Sequence, residues 1–185
     1  KAGHDPDRKD TLAHYGSQPD TTQVRGHKLY WHRGASPNIE ASATEREHES
    51  QLTQIVPVKA GVRFKFTLHF ENLRHEELGA LWWVLALPGE PDKEYRHKLG
   101  MGKPLGMGAV KLTPRLVLSQ RRGQGGRYGQ LFSGSTWHMA ERTADAAPYA
   151  QQFEEHVLKT TGLPGARRLV DVERIRMLMA MLEWR

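Results

Sequence analysis

The chain contains no cysteine. That excludes disulfides and cysteine-ligated zinc, and it fits a reducing, cytoplasmic setting. No run of 18 apolar residues exists, so no membrane partner is expected. The longest apolar stretch, Leu78 to Leu87, suits a buried helix instead. The first thirty residues are polar and charged and have no apolar centre, so no signal peptide is expected. The chain opens on Lys1 rather than Met, which leaves open a fragment, a processed product or one part of a larger polypeptide. His27 and His32 are five apart, neither a strand nor a helix spacing for paired ligands, so no metal and no other cofactor is expected.

A local absence of acid says more than the net charge of +6. Between Tyr95 and Ala140 there is no Asp or Glu, while Arg96, Lys98, Lys103, Lys111, Arg115, Arg121, Arg122 and Arg127 all fall there. The rest of the chain carries 19 basic and 21 acidic residues. Charge clusters are usually solvated faces. A window without carboxylates instead favours a polyanionic partner, because phosphate binding is weakened by competing acids.

With 185 residues, 38% of them hydrophobic, the chain can build one domain of ordinary size. Residues 1–26 read as a polar connector or loosely ordered segment. His27 to His32 and Leu52 to Val58 read as short strands, with a loop or insertion over 34–50 between them. Val62, Phe64, Phe66, Leu68 and Phe70 alternate with Arg63, Lys65, Thr67 and His69. Period two over nine residues predicts a strand with one apolar face. The three phenylalanines could form a base-stacking platform, but core packing is the stronger expectation. Asn72 is placed to cap a helix from about Leu73 to Leu87, with Glu76 and Glu77 in its first turns. Its tryptophans suit a core. Val110, Leu112, Leu116 and Leu118 alternate as a further strand, with Pro114 marking an edge or bulge. Residues 119–136 are a second Gly- and Arg-rich loop. Amphipathic helices are expected from about Pro148 to Thr160 and from about Leu169 to Trp184. The fold class is therefore α+β, and strand, helix, Gly-rich loop, strand is half of a ferredoxin-like unit.

The segment Gly100-Met101-Gly102-Lys103-Pro104-Leu105-Gly106-Met107-Gly108 is dense in glycine, which permits positive φ and close backbone approach. Exposed N–H groups in such a loop can cradle phosphate oxygens. It is not a Walker loop, because Pro104 stands where Ser or Thr would bind magnesium. It is not a dinucleotide fingerprint either, since Leu105 occupies the third glycine position. A tight turn would need only one or two glycines.

The run HKLGMGKPLGMGAVKL, His97 to Leu112, closely resembles the glycine-rich loop of the CRISPR-associated RAMP superfamily. The preceding VRFKFTLHFENLRHEELGALWWVLAL is similar to the strand and helix that lead into that loop. The likeness is to backbone subunits of type III effector complexes and their fused single-chain relatives. It covers residues 55–118 well and the stretch to Phe132 loosely. It implies an RRM- or ferredoxin-like RAMP domain over 27–136, with a helical extension over 137–185. Guide RNA, paired target RNA and other effector subunits or domains are the implied partners. The implied RNA-binding residues are Lys98, Gly100, Gly102, Lys103, Gly106, Gly108 and Lys111, with Arg121, Arg122 and Arg127 in the second loop. No aspartate matches the family's RNA-cutting position. Asp92, Asp145 and Asp171 lie in segments without a cutting loop, and Asp5, Asp7, Asp10 and Asp20 lie in a segment that cannot be placed. A binding role without catalysis is expected.

Two other readings stand beside it. One is a metal-independent endoribonuclease that processes guide RNA precursor, with His97 or His32 as general acid or base. The other is a protein–protein module in which the helices at 73–87 and 169–184 dock neighbouring subunits.

Overall fold

The computed structural model describes residues 29–37, 39–47, 53–163 and 165–185. Every element below belongs to the unit Trp31–Arg185. The expected connector over 1–26, the early aspartates, and His27 and Lys28 of the first expected strand lie outside the described residues, as does Leu52 of the second.

The apolar run beginning at Leu78 forms the central helix. After α1 (Ala43–Arg46), a single turn within the expected loop, α2 spans His75–Ala86. Its cap is Arg74 rather than the expected Asn72. Glu77 accepts from the Arg74 backbone N–H at 2.8 Å, and Asn72 sits at φ 57°. Leu87 closes the helix in the left-handed region. Gly79 is buried, and a Cβ there would lie 2.0 Å from the Tyr149 carbonyl oxygen. That missing side chain lets α3 (Ala147–Thr161) press its backbone onto α2.

Trp83 and Leu87 from α2, Leu169 from a 3-10 turn, and Met179 from α4 (Glu173–Leu182) form one core cluster, with Phe153 and Val157 packed on it. The expected single helix from Leu169 is thus two pieces, broken at Val172, whose backbone is extended. A second cluster joins Leu78, Leu116 and Ala146, with Phe70, Trp82 and Tyr149 against it. Trp83 and Leu87 from the first of the helices expected to dock neighbouring subunits and Met179 from the second are thus buried in the chain's own core, while Val84 and Met177 are exposed.

The strands are short and paired in twos. β1 (His97–Lys98) pairs with β2 (Ala109–Val110), β3 (Val117–Ser119) with β6 (Glu141–Thr143), and β4 (Phe132–Ser133) with β5 (Thr136–Trp137), all antiparallel. The strand expected from Val110 to Leu118 splits into β2 and β3, with Pro114 between them unable to donate to a ladder. The described residues are α+β.

The largest departure is Val62–Phe70. This segment joins no helix and no ladder among the described residues, and neither does the arm before it, across a turn at Ala60–Gly61. Phe64 is 78% exposed and Phe66 66% exposed, so the expected core packing of this face is not observed. Only Phe70, at its end, reaches a core cluster. Periodicity identifies an amphipathic extended segment but not whether a partner edge lies beside it.

Candidate nucleic-acid interface

The structure divides the predicted site residues between two loops. The first is the β1–β2 hairpin. The bridge between Tyr95 and Glu183, and the bond from the Arg96 N–H to the Leu182 carbonyl at 2.9 Å, fix the strand that leads into it. The loop closes with the Leu99 N–H on the Gly108 carbonyl at 2.8 Å, and Lys103–Leu105 form a 3-10 turn within it. All four glycines have positive φ, from 70° to 94°. A Cβ at Gly108 would stand 1.9 Å from the Leu99 oxygen, one at Gly106 2.7 Å from the Arg33 Cβ, and one at Gly102 2.6 Å from the Met107 sulfur. Gly100 alone faces open space. Packing within the loop accounts for Gly102 and Gly108, packing against Arg33 accounts for Gly106, and Gly100 is the one whose backbone a ligand can approach.

Lys98 reaches across the hairpin, its Nζ 3.4 Å from the Gly106 carbonyl. Burial, then repulsion from Arg33, holds its pKa below the ordinary lysine value. Arg33 is not among the expected site residues: it stands 65 positions upstream of Lys98, between the expected strand at His27–His32 and the expected loop over 34–50. Two like charges brought together without a carboxylate repel each other, and an anion between them would relieve that repulsion. Lys103, the first residue of the 3-10 turn in the same loop, forms no ion pair among the described residues.

Acids just outside the acid-free window reach back into it. Glu94 binds Arg96 at 2.6 Å and Lys111 at 3.2 Å, and these bonds, Arg96 first, hold its carboxyl below the ordinary range. Glu71 pairs with Arg121 at 2.5 Å. Lys111 and Arg121 are therefore partly neutralised, which a count along the sequence cannot reveal. Arg115, Arg122 and Arg127 form no ion pair among the described residues.

The second loop runs from β3 to β4. It is wound on itself by the Arg127 N–H on the Gln120 carbonyl at 2.9 Å and the Tyr128 N–H on the Arg121 carbonyl at 3.0 Å. His138 Nε2 lies 2.9 Å from the Gly125 carbonyl and ties the loop to the residue after β5. Beyond it, Phe132 and Trp137 are cross-strand partners with their rings stacked, centroids 4.7 Å apart. The expected loop over 119–136 takes in Phe132, and Trp137 lies just past its end. The available signal was two aromatic residues flanking a Ser-Gly-Ser-Thr turn.

The catalytic candidates are placed differently. His97 Nε2 lies 3.3 Å from the Leu85 carbonyl, so its ring is spent on the end of α2. His32 Nε2 donates to the Arg96 carbonyl at 2.9 Å, while its Nδ1 is buried without a partner. Among the described residues no group of three His, Asp or Glu side chains could hold a metal ion. An open cleft of about 390 Å³ beside the end of α2 is lined by Asp92 and Glu94 as well as Lys93 and Lys111, a mixed set poorly suited to phosphate. No helix among the described residues is long and apolar enough to cross a membrane. No known protein family, curated protein or solved structure matches the chain.

Proposed function

We propose that this chain is an RNA-holding scaffold piece of a type III CRISPR effector ribonucleoprotein, a RAMP-type domain that grips guide RNA and its paired target beside other effector subunits in the cytoplasm. The observation that carries the reading is the cation set Arg33, Lys98 and Lys103 around a left-handed glycine hairpin, with no carboxylate paired to any of them among the described residues. Gly100 offers open backbone there, where N–H groups can meet phosphate oxygens. The likeness of His97 to Leu112 to the RAMP glycine loop, and of the preceding strand and helix, supplies the family. The alternating segment Val62–Phe70, unpaired among the described residues, is compatible with half of a ferredoxin-like unit waiting for a sheet edge.

The endoribonuclease reading would employ His97, but its Nε2 rests against the Leu85 carbonyl, and no observation favours catalysis.

The test is to purify the chain in its native complex, extract the nucleic acid and sequence it. Repeat-derived small RNAs of uniform length are expected. Direct titration of single-stranded RNA should show affinity falling with salt by roughly 0.7 log unit per log unit of salt for each phosphate neutralised. Lys98→Glu with Lys103→Glu should abolish most of it. Affinity that survives this double substitution would remove the reading.

A further inference from the structure

We propose that the β4–β5 hairpin is a stacking site for one unpaired nucleobase, with Phe132 and Trp137 as the platform and Arg122 and Arg127 as neighbouring phosphate contacts. The proposal rests on the RNA reading above and adds a second, base-dependent contact outside the glycine loop.

The hairpin has only two residue pairs, too few for backbone bonds alone to hold it in water. The stacked pair Phe132–Trp137, with planes 28° apart, supplies the cross-strand contact that does so. These rings are nonetheless not core. Phe132 is 50% exposed and Trp137 66% exposed, so the stacked pair leaves much of its surface to solvent. Tyr128, in the preceding loop, is also exposed.

An exposed aromatic pair could meet an apolar protein surface or a base. The surroundings decide for the base. His138, directly after Trp137, is bonded to the carbonyl of Gly125, which lies between Arg122 and Arg127 in the chain. Both guanidiniums are exposed and without an ion pair among the described residues. Burying them against an apolar protein would leave two desolvated charges unpaired, at a cost of several kcal/mol each. A nucleotide instead brings a π-face and a phosphate together. The nearby acids are Glu71, already bonded to Arg121, and Glu141 in β6. Inside a duplex each base face is covered by its neighbours, so the platform selects an unpaired or terminal base.

The test compares two fluorescently labelled oligomers of equal length with the full chain, an oligouridylate and an abasic ribose-phosphate strand. Their charges match, so only contacts to the bases separate them, and the aromatic variants below isolate stacking among those contacts. The wild type should prefer the oligouridylate by roughly 5- to 100-fold. Phe132→Ala with Trp137→Ala should erase that preference and leave the salt slope unchanged. Phe132→Leu with Trp137→Leu keeps apolar bulk in the hairpin while removing the aromatic faces, and should also erase it. Equal binding of both oligomers by the wild type, or a preference that survives the leucine pair, would overturn the stacking site while the RNA reading stands. No binding of either oligomer by the wild type would overturn the RNA reading and this site together.

Discussion

The indole Nε1 of Trp83 donates to Glu154 Oε1 at 2.8 Å inside the helical core, joining α2 to α3. The other oxygen of Glu154 accepts the Leu169 N–H at 3.2 Å and faces Arg168 Nε at 3.8 Å. One buried carboxylate therefore fixes three segments. A buried donor left without its acceptor costs about 1–3 kcal/mol. Glu154→Ala strands two such donors and should lower unfolding free energy by about 2–4 kcal/mol, read from denaturant midpoints. Glu154→Gln keeps one acceptor oxygen and should cost less than half as much. Equal losses in the two variants would show that charge rather than acceptor geometry matters there.

Helix positions were the most legible part of the fold, because a 3.6-residue apolar period survives any tertiary context. Tyr149, Phe153 and Val157 reach the core from α3 as their spacing implies. Strand pairing was less legible, because period two marks an extended segment and not its neighbour. Val62–Phe70 shows this on the apolar side, and the split of Val110–Leu118 at Pro114 shows it on the ladder side. At the site, the glycines and lysines of the hairpin were readable as a local motif. Arg33 and the acids Glu71 and Glu94 were not, since each comes to its partners through the fold or from outside the acid-free window.

The glycines of the hairpin should separate by what surrounds them. Gly108→Ala drives a Cβ into the Leu99 carbonyl oxygen at 1.9 Å and also strains a φ of +73°. Gly100→Ala, at φ +82°, meets nothing and carries only the left-handed penalty of about 1–2 kcal/mol. The alanine at 108 should therefore be the more destabilising by about 1–3 kcal/mol, measured by thermal or denaturant unfolding. Among these two, only Gly100→Ala should reach the RNA assay as a folded protein with normal stability of the rest of the chain.

His32 makes the fold sensitive to mild acid. Its Nε2 donates to the Arg96 carbonyl, its Nδ1 is buried and unpartnered, and its ring packs edge-on against Trp184 at 5.4 Å. Arg96 also lies over that indole, 3.8 Å from its centroid. A proton on Nδ1 would be a donor without an acceptor, next to the positive charges of Lys98 and Arg96. Burial first, and those charges after it, hold the pKa below the ordinary 6.5, against a backbone bond that raises it. The unfolded chain therefore binds the extra proton first. Stability should be fully present above pH 6.5 and fall as pH drops below it, until the folded pKa is passed. A series of unfolding midpoints across this range should show the slope in the wild type, and a flatter profile in His32→Gln.

The apolar face of Val62–Phe70 should contribute little to the stability of the isolated chain. Phe64→Thr with Phe66→Thr removes two rings that are mostly in solvent, and exposed substitutions shift stability by about 0.5 kcal/mol or less each. Leu116→Ala, in the second core cluster, should cost about 2–5 kcal/mol. The threonine pair should also reduce self-association, since an exposed apolar patch on a segment without a ladder partner favours aggregation. A loss of several kcal/mol from the threonine pair would mean that the face is packed in solution.

The acids that flank the basic window give the sharpest electrostatic test of the RNA reading. Lys111 and Arg121 are held by Glu94 and Glu71, whereas Lys103 forms no ion pair among the described residues. Lys103→Ala should therefore weaken single-stranded RNA binding and reduce the salt slope by about 0.7. Lys111→Ala should change both by less, because part of that charge is already spent on Glu94. Glu94→Gln and Glu71→Gln reverse the logic. Each frees a cation without adding one, and each should tighten RNA binding and steepen its salt dependence. Both glutamates are partly exposed and their pairs screened, so the gain should be modest, about twofold to fivefold at low salt, and should fade as the Debye length shortens. If Glu94→Gln instead weakens binding, then Glu94 serves the site by orienting Arg96 and Lys111 rather than by masking them. The two glutamates would then differ in sign in the same assay.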